Sequence, residues 1–186
     1  ETDEGRNLLI TEFGKNYGTY FSILSEIANG HYTQGEIESA LGGTAIGGYL
    51  SKLENVYNLI TRERPIFAKP GTKKNVRYVI GDNFLNFWFK YIEQNRSYIE
   101  LQNFDDLRQL AKADYPTYSG RVLEKYFKQK LAETGGFKEI GSWWETKSSI
   151  GKQRINSYEI DIVALKSSGK KALIAEVKRV PENNYS

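Results

Sequence analysis

Apolar residues along the chain change their period twice, and each change marks a boundary. Tyr17, Tyr20, Phe21, Leu24, Ile27 and Ala28 recur at helical spacing, and Asn29–Gly30 ends the run. Thr33–Gln34–Gly35–Glu36 has the form of a capping box, in which the Thr33 hydroxyl takes the Glu36 amide and the Glu36 carboxylate reaches back. A short helix through Ile37 and Leu41 follows, then a turn at Gly42–Gly43. A third helix carries Ile46, Leu50, Leu53 and Val56 on one face. After Leu59–Ile60 and a segment containing Pro65 and Pro70–Gly71, Val76–Arg77–Tyr78–Val79–Ile80 is rich in strand formers. Helix, helix, turn, helix and two-stranded hairpin is the order of a winged helix-turn-helix, expected over residues 1–81.

Gly81–Asp82–Asn83 punctuates the chain. The residues Phe84, Phe87, Trp88, Tyr91 and Ile92 predict an aromatic helix, and a second helical stretch lies near Phe104–Ala111. Residues 82–114 are therefore expected to be a helical linker. Asp114 to Ser119, with Pro116, reads as a break. A helix follows from about Gly120 to Glu133, striped by Val122, Leu123, Tyr126, Phe127, Lys130 and Leu131. After Gly135–Gly136 the period becomes that of strands: Phe137–Trp144, then Tyr158–Leu165 beyond a polar loop at 145–157, then Lys171–Lys178 beyond a tight turn at Ser167–Lys170. Residues 115–186 are expected to form one α/β domain. The fold class is α+β.

Composition narrows the chemistry. Hydrophobic residues make up 39% of the 186 and aromatics 13%, enough to build a core. There is no cysteine, hence no disulfide, thiolate metal site or Cys nucleophile, and the one histidine, His31, argues against a histidine zinc site. Any metal would be a hard cation held by carboxylates. No apolar run is long enough for a membrane helix, and Glu1–Thr2–Asp3–Glu4 is acidic where a signal peptide is basic, so a cytoplasmic protein is expected. The chain begins without Met and contains none, which reads as a piece of a longer protein.

Net charge is only +3, but Arg62, Arg64, Lys69, Lys73, Lys74 and Arg77 stand against Glu63 alone in one short segment. Concentrated basic charge suits phosphate contact, though a solvated hairpin has the same composition. With Thr44, Tyr49, Ser51, Lys52 and Asn55 facing outward from the third helix, the expected DNA-binding set is Ser51, Lys52, Lys69, Lys73, Lys74 and Arg77. A lid or docking role for the same domain is the alternative.

The last two strands carry the candidate chemistry. Alternation puts Glu159 and Asp161 on one face, and Glu176 and Lys178 on one face of the next strand. Asp161, Glu176 and Lys178 can then converge, with Glu124 on the preceding helix as a further ligand. Two or three carboxylates would hold Mg²⁺ or Mn²⁺, and the lysine would act on the attacking water or the phosphoryl oxygens. Cross-strand charge pairs on a solvated face have the same spacing. The apolar neighbours Ile160, Ile162, Val163, Ile174, Ala175 and Val177 argue instead for a buried central sheet.

Blocks in order along nearly the whole chain resemble the C-terminal region of a family of archaeal and bacterial ATPases, whose tail is a domain of unknown function with a PD-(D/E)xK nuclease-like pattern. The blocks are Tyr49–Leu50–Ser51–Lys52–Leu53–Glu54, Asp82–Asn83–Phe84–Leu85–Asn86–Phe87–Trp88–Phe89, Asn95–Arg96–Ser97 and Tyr118–Ser119–Gly120–Arg121–Val122–Leu123–Glu124. They continue with Ile140–Gly141–Ser142–Trp143–Trp144, Glu159–Ile160–Asp161–Ile162–Val163–Ala164 and Glu176–Val177–Lys178. The resemblance implies a restriction-endonuclease-like core with Glu124, Asp161, Glu176 and Lys178 at nuclease-type positions. It also implies a P-loop ATPase module upstream as a partner. No G-x-x-x-x-G-K-S/T occurs here, so ATP would bind only in that module. The loop Lys147–Ser157 is longer and more polar than the family pattern, and Ser186 comes before the helix and strand that would close such a core, which is therefore expected to be truncated. Two functions follow as expectations: metal-dependent cleavage of phosphodiester bonds, or an inert nuclease-like scaffold that binds DNA or a protein.

Overall fold

The structure, a computed structural model, describes residues 2–69, 71–72, 75–145, 149–150, 153–154, 158–169 and 171–179. It is a mixed α+β chain that divides into two compact units. The first comprises Glu1–Glu63 with Val76–Leu107, and the second Arg64–Asn75 with Arg108–Ser186.

The first unit opens with helices α1 (Thr2–Phe13), α2 (Tyr17–Asn29), α3 (Gln34–Ala40) and α4 (Gly47–Asn55), followed by strands β1 (Ile60–Glu63) and β2 (Arg77–Ile80). The stripe read on α2 is its buried face: Tyr20, Phe21, Ile23, Leu24, Ile27 and Ala28 all enter the core. Gly30 ends α2 in the left-handed conformation, φ 103°, where a Cβ would be strained, and its N–H closes on the Glu26 and Ile27 carbonyls. The capping box forms on α3: Thr33 Oγ1 accepts from Glu36 N–H at 3.3 Å, and Thr33 N–H donates to Glu36 Oε2 at 3.0 Å. Ile46, Leu50 and Leu53 are buried, but α4 ends before Val56, which is mostly exposed. Tyr49, expected to face outward, packs edge-on against Tyr20 at 5.1 Å, because the aromatic pair removes more apolar surface from water than either ring alone. The hairpin pairs Ile60 with Ile80 and Arg62 with Tyr78. Arg62 is committed within the unit, to the Glu54 carboxylate and the Tyr78 ring.

Helix α1 has no counterpart in the sequence reading. Its apolar residues Leu8, Leu9 and Ile10 are adjacent rather than spaced, so no stripe shows. Phe13 anchors its end against Tyr20 and Tyr57.

The stretch read as a linker is largely packed into the first unit. Asp82 caps α5 (Asn83–Phe87) through Leu85 N–H at 2.7 Å, and α5 runs into a π turn at Trp88–Ile92, a 3-10 turn at Glu93–Asn95 and α6 (Arg96–Glu100). The wider π turn rotates the later side chains away from the 3.6-residue register. Trp88, Phe89 and Tyr91 are buried, with Phe89 on Phe21 at 5.4 Å; Phe84, ahead of the π turn in α5, is exposed.

Helix α7 spans Phe104–Thr134 without the expected interruption at Pro116. Proline in a helix interior forfeits one backbone bond and costs about 3 kcal/mol. That single loss falls inside a 31-residue element with good helix formers on both sides. Ser119 Oγ donates to the Pro116 carbonyl at 3.3 Å and accepts from Arg179 Nη1 at 2.7 Å.

The second unit has an antiparallel sheet of β3 (Phe137–Trp144), β6 (Glu159–Lys166) and β7 (Ala172–Ala175), in the order β3-β6-β7, and a separate ladder between β4 (Ser149–Ile150) and β5 (Gln153–Arg154) within the loop read as polar. On the central strand Ile162, Val163 and Ala164 are consecutively buried. On β7 the side chains of Leu173 and Ile174 are exposed, so this strand is an edge and not part of a sheet covered on both faces. The segment Arg64–Asn75 packs on β3: Ile66 N–H donates to the Ser142 carbonyl at 2.8 Å, and Trp144 Nε1 donates to Asn75 Oδ1 at 3.1 Å. Among the described residues no helix is long and apolar enough to cross a membrane.

The capping box sets the entry of α3. Thr33→Ala is expected to lower the stability of the first unit by about 1 kcal/mol, read from denaturant melts. No change would mean that tertiary packing alone holds that helix end.

Candidate functional site

The pairing of β3 with β6 shifts register between Phe137 and Glu139 and again between Gly141 and Trp143, and the candidate chemistry gathers at the second shift. Gly141 pairs with Val163 and Trp143 with Ile160, so Ser142 faces two residues of β6, Ile162 and Asp161. Such a bulge re-aims the side chains around it. Here the Ser142 hydroxyl donates to the Asp161 carbonyl at 2.9 Å and accepts from Lys128 Nζ at 2.5 Å.

Lys128 comes from α7, one turn beyond Glu124, and its Nζ lies 3.9 Å from Glu124 Oε2. Arg121, one turn earlier, also acts on Glu124. Burial raises the Glu124 carboxyl from its ordinary 4.5 to about 7; the Asp161 and Glu159 carboxylates push in the same direction, and Lys128 and Arg121 oppose them. The Asp161 carboxylate thus acts on Glu124 across the helix–sheet contact.

Glu176 and Lys178 do not join this group. The β6–β7 ladder ends at Ile162↔Ala175, short of the expected strand end at Lys178. Asp161 Oδ2 accepts from Val177 N–H at 2.7 Å, so a side chain occupies the amide that would continue the ladder. Glu176 and Lys178 pair with each other at 3.2 Å, their side chains 69% and 72% exposed. Those of Glu124 and Lys128 are each 25% exposed. Among the described residues no three or more acidic or histidine side chains are gathered as a metal cage. The remaining pair suits Mg²⁺ better than Ca²⁺, since Mg²⁺ keeps most of its waters and needs one or two carboxylates from the protein.

The residues that sequence reasoning missed are Lys128 and Ser142. Lys128 sits at a spacing from Glu124 that puts both on one helix face, which was the available signal. The part played by Ser142 depends on a bulge that no local pattern announces.

Of the expected DNA-binding residues, Ser51 and Lys52 are exposed on α4, beside exposed Gly47, Gly48 and Asn55. Lys69 is exposed in the segment that packs on β3. Arg77 is half-buried on β2 and pairs in register with Glu63. Lys73 and Lys74 lie outside the described residues.

Residues 88–184 match the family DUF234, described as archaea bacterial proteins of unknown function. The chain belongs to that family. This DUF234 chain is also 40% identical over 169 residues to an uncharacterized protein of Methanocaldococcus jannaschii, a match covering 86% of the chain and 35% of the relative. The chain thus spans about a third of the length of that relative. No solved structure matches it. The matched DUF234 region contains Glu124, Lys128, Ser142 and Asp161, and leaves α1 to α4 outside.

Glu124 gives the site a pH signature. Between about 4.5 and about 7 the folded chain keeps a proton that the unfolded chain releases, so stability falls as pH rises through that window and stays reduced above it. Glu124→Gln, measured with chelator present, should be more stable than the parent at pH 8 by on the order of 2 kcal/mol, allowing for solvent screening, with the gap closing near pH 4. Equal stability at both pH values would show the carboxyl to be solvated.

Proposed function

We propose that the second unit is a restriction-endonuclease-like domain that hydrolyses phosphodiester bonds with Mg²⁺ or Mn²⁺, and that the first unit holds a winged helix that brings it DNA. The reading rests on the half-buried Glu124 carboxyl, which is largely withdrawn from water and under the influence of Asp161 on the strand it faces. Two carboxylates on a helix and a strand, one pushed up to about 7, lose their mutual repulsion when a cation lies between them. A bound cation would supply polarisation of the phosphoryl group and a more acidic water. The chain itself would supply the oxygen ligands from Glu124 and Asp161, and positive charge from Arg121 and Lys128 on the same helix. Glu176 would join only by leaving its pair with Lys178.

For the first unit, support comes from element order and exposure. Helix α4 presents Ser51, Lys52 and Asn55 to solvent, as a recognition helix must, and β1–β2 follows it as a wing. In the full-length protein a P-loop ATPase module would drive or gate the reaction, and the M. jannaschii relative, matched over 35% of its length, is long enough to hold one.

The exposed Glu176–Lys178 pair favours a second reading, in which the nuclease-like fold is kept as a DNA- or protein-binding scaffold without activity. Full-length protein with Mn²⁺ separates the two. We expect Mn²⁺ binding by calorimetry and cleavage of plasmid or single-stranded DNA, both lost in Asp161→Asn, with the rate falling roughly a hundredfold or more. Neither binding nor cleavage by the unaltered protein would establish the scaffold.

Lys52→Ala should weaken DNA binding uniformly across sequences and reduce the salt slope by about 1, as loss of one phosphate contact does. An unchanged affinity and slope would turn α4 toward a protein partner.

A further inference from the structure

A hydrolase of this kind needs a cation that is not a metal ligand, to act where negative charge builds on the phosphoryl oxygens. The strand motif offers Lys178. Its ammonium is 72% exposed, tied to Glu176 and absent from the charges that act on Glu124. An exposed, flexible ammonium in high dielectric does little for a transition state.

Resting on the reading of the second unit as a phosphodiester hydrolase, we infer that Lys128 of α7 supplies the positive charge at the Glu124–Asp161 pair, the role that the strand motif assigns to Lys178. Three observations support it. The Nζ lies 3.9 Å from Glu124 Oε2, so any phosphate held beside that carboxylate is within its reach. The side chain is three-quarters buried, where a charge is less screened. It is also fixed: Nζ donates to Ser142 Oγ, and that hydroxyl donates to the Asp161 carbonyl. The chain Lys128–Ser142–Asp161 therefore sets the ammonium against the strand carrying the second carboxylate. An ammonium has three donors, of which Ser142 takes one, while Glu124 stands at ion-pair distance.

In the reaction, a water oxygen bonds to phosphorus and one P–O ester bond breaks. The water gives a proton to solvent, and the leaving oxygen takes one from it. Lys128 remains an ammonium throughout and stabilises the charge gathering on the non-bridging oxygens. Ser142 is a positioning residue, acting through Lys128.

The test uses full-length protein, DNA cleavage with Mn²⁺, calorimetric Mn²⁺ affinity and thermal melts. Lys128→Met is expected to lower kcat a hundredfold or more, with KM within about threefold and Mn²⁺ affinity unchanged or tighter, because a repelling charge has gone. Lys128→Arg should recover part of the rate. Ser142→Ala, which keeps the lysine and loosens it, should cost about tenfold in kcat. Lys171→Ala, just ahead of β7, is the control and should match the unaltered protein. If Lys128→Met melts early, Lys128→Arg and Ser142→Ala decide. The inference is overturned, and the hydrolase reading kept, if Lys128→Met cleaves normally or Lys178→Ala loses more activity than it does. Loss of Mn²⁺ affinity in step with kcat in Lys128→Met would make the residue structural and overturn it too. Absence of metal-dependent cleavage by the unaltered protein removes the hydrolase reading, and the role of Lys128 with it.

Discussion

In the second unit the pairing of β3 with β6 slips by one residue at Ser142, and three other parts of the chain fasten to that slip. The Ser142 carbonyl takes Ile66 N–H from the segment Arg64–Asn75. Its hydroxyl takes the Lys128 ammonium from α7 and gives its proton to the Asp161 carbonyl. At this point a helix, a loop and two strands meet through hydrogen bonds beside buried Ile162 and Val163. The elevated Glu124 carboxyl follows from the same meeting, since α7 held against β6 withdraws it from water and, secondarily, brings it under the influence of Asp161.

Features settled by local chemistry were legible in the sequence. The Thr33–Glu36 box needs only four residues, and it forms as read. The α2 stripe, the turn at Ser167–Ser168 and β3 over Phe137–Trp144 also rest on short-range periodicity. Features settled by balance between distant parts were not. Pro116 signals a break, but the cost of one missing bond is outweighed along a long helix. The π turn at Trp88–Ile92 breaks a register that periodicity assumes constant, so Phe89 was overlooked.

The candidate site divides along the same line. Asp161 and Glu124 could be marked from residue type and the alternation of a strand. Glu176 and Lys178 were placed by assuming that β7 runs on through them. The Asp161 carboxylate instead takes the Val177 amide, a competition between side chain and backbone that is decided only once the strands are in place. Lys128 went unnoticed because its tie to Ser142 forms only where β3 and β6 shift register, which no pattern along the helix announces.

The division of the chain between its units has a consequence for dissection and for synthesis. The backbone leaves the first unit after Glu63, returns at Val76 and leaves again after Leu107, so neither unit is one uninterrupted stretch. No single cut yields both intact, and a fragment beginning at Arg108 lacks the Ile66 and Asn75 contacts that cover β3. On the ribosome, 64–75 emerges well before the strand it packs on. The second unit is therefore completed by a segment made before its own helix and sheet.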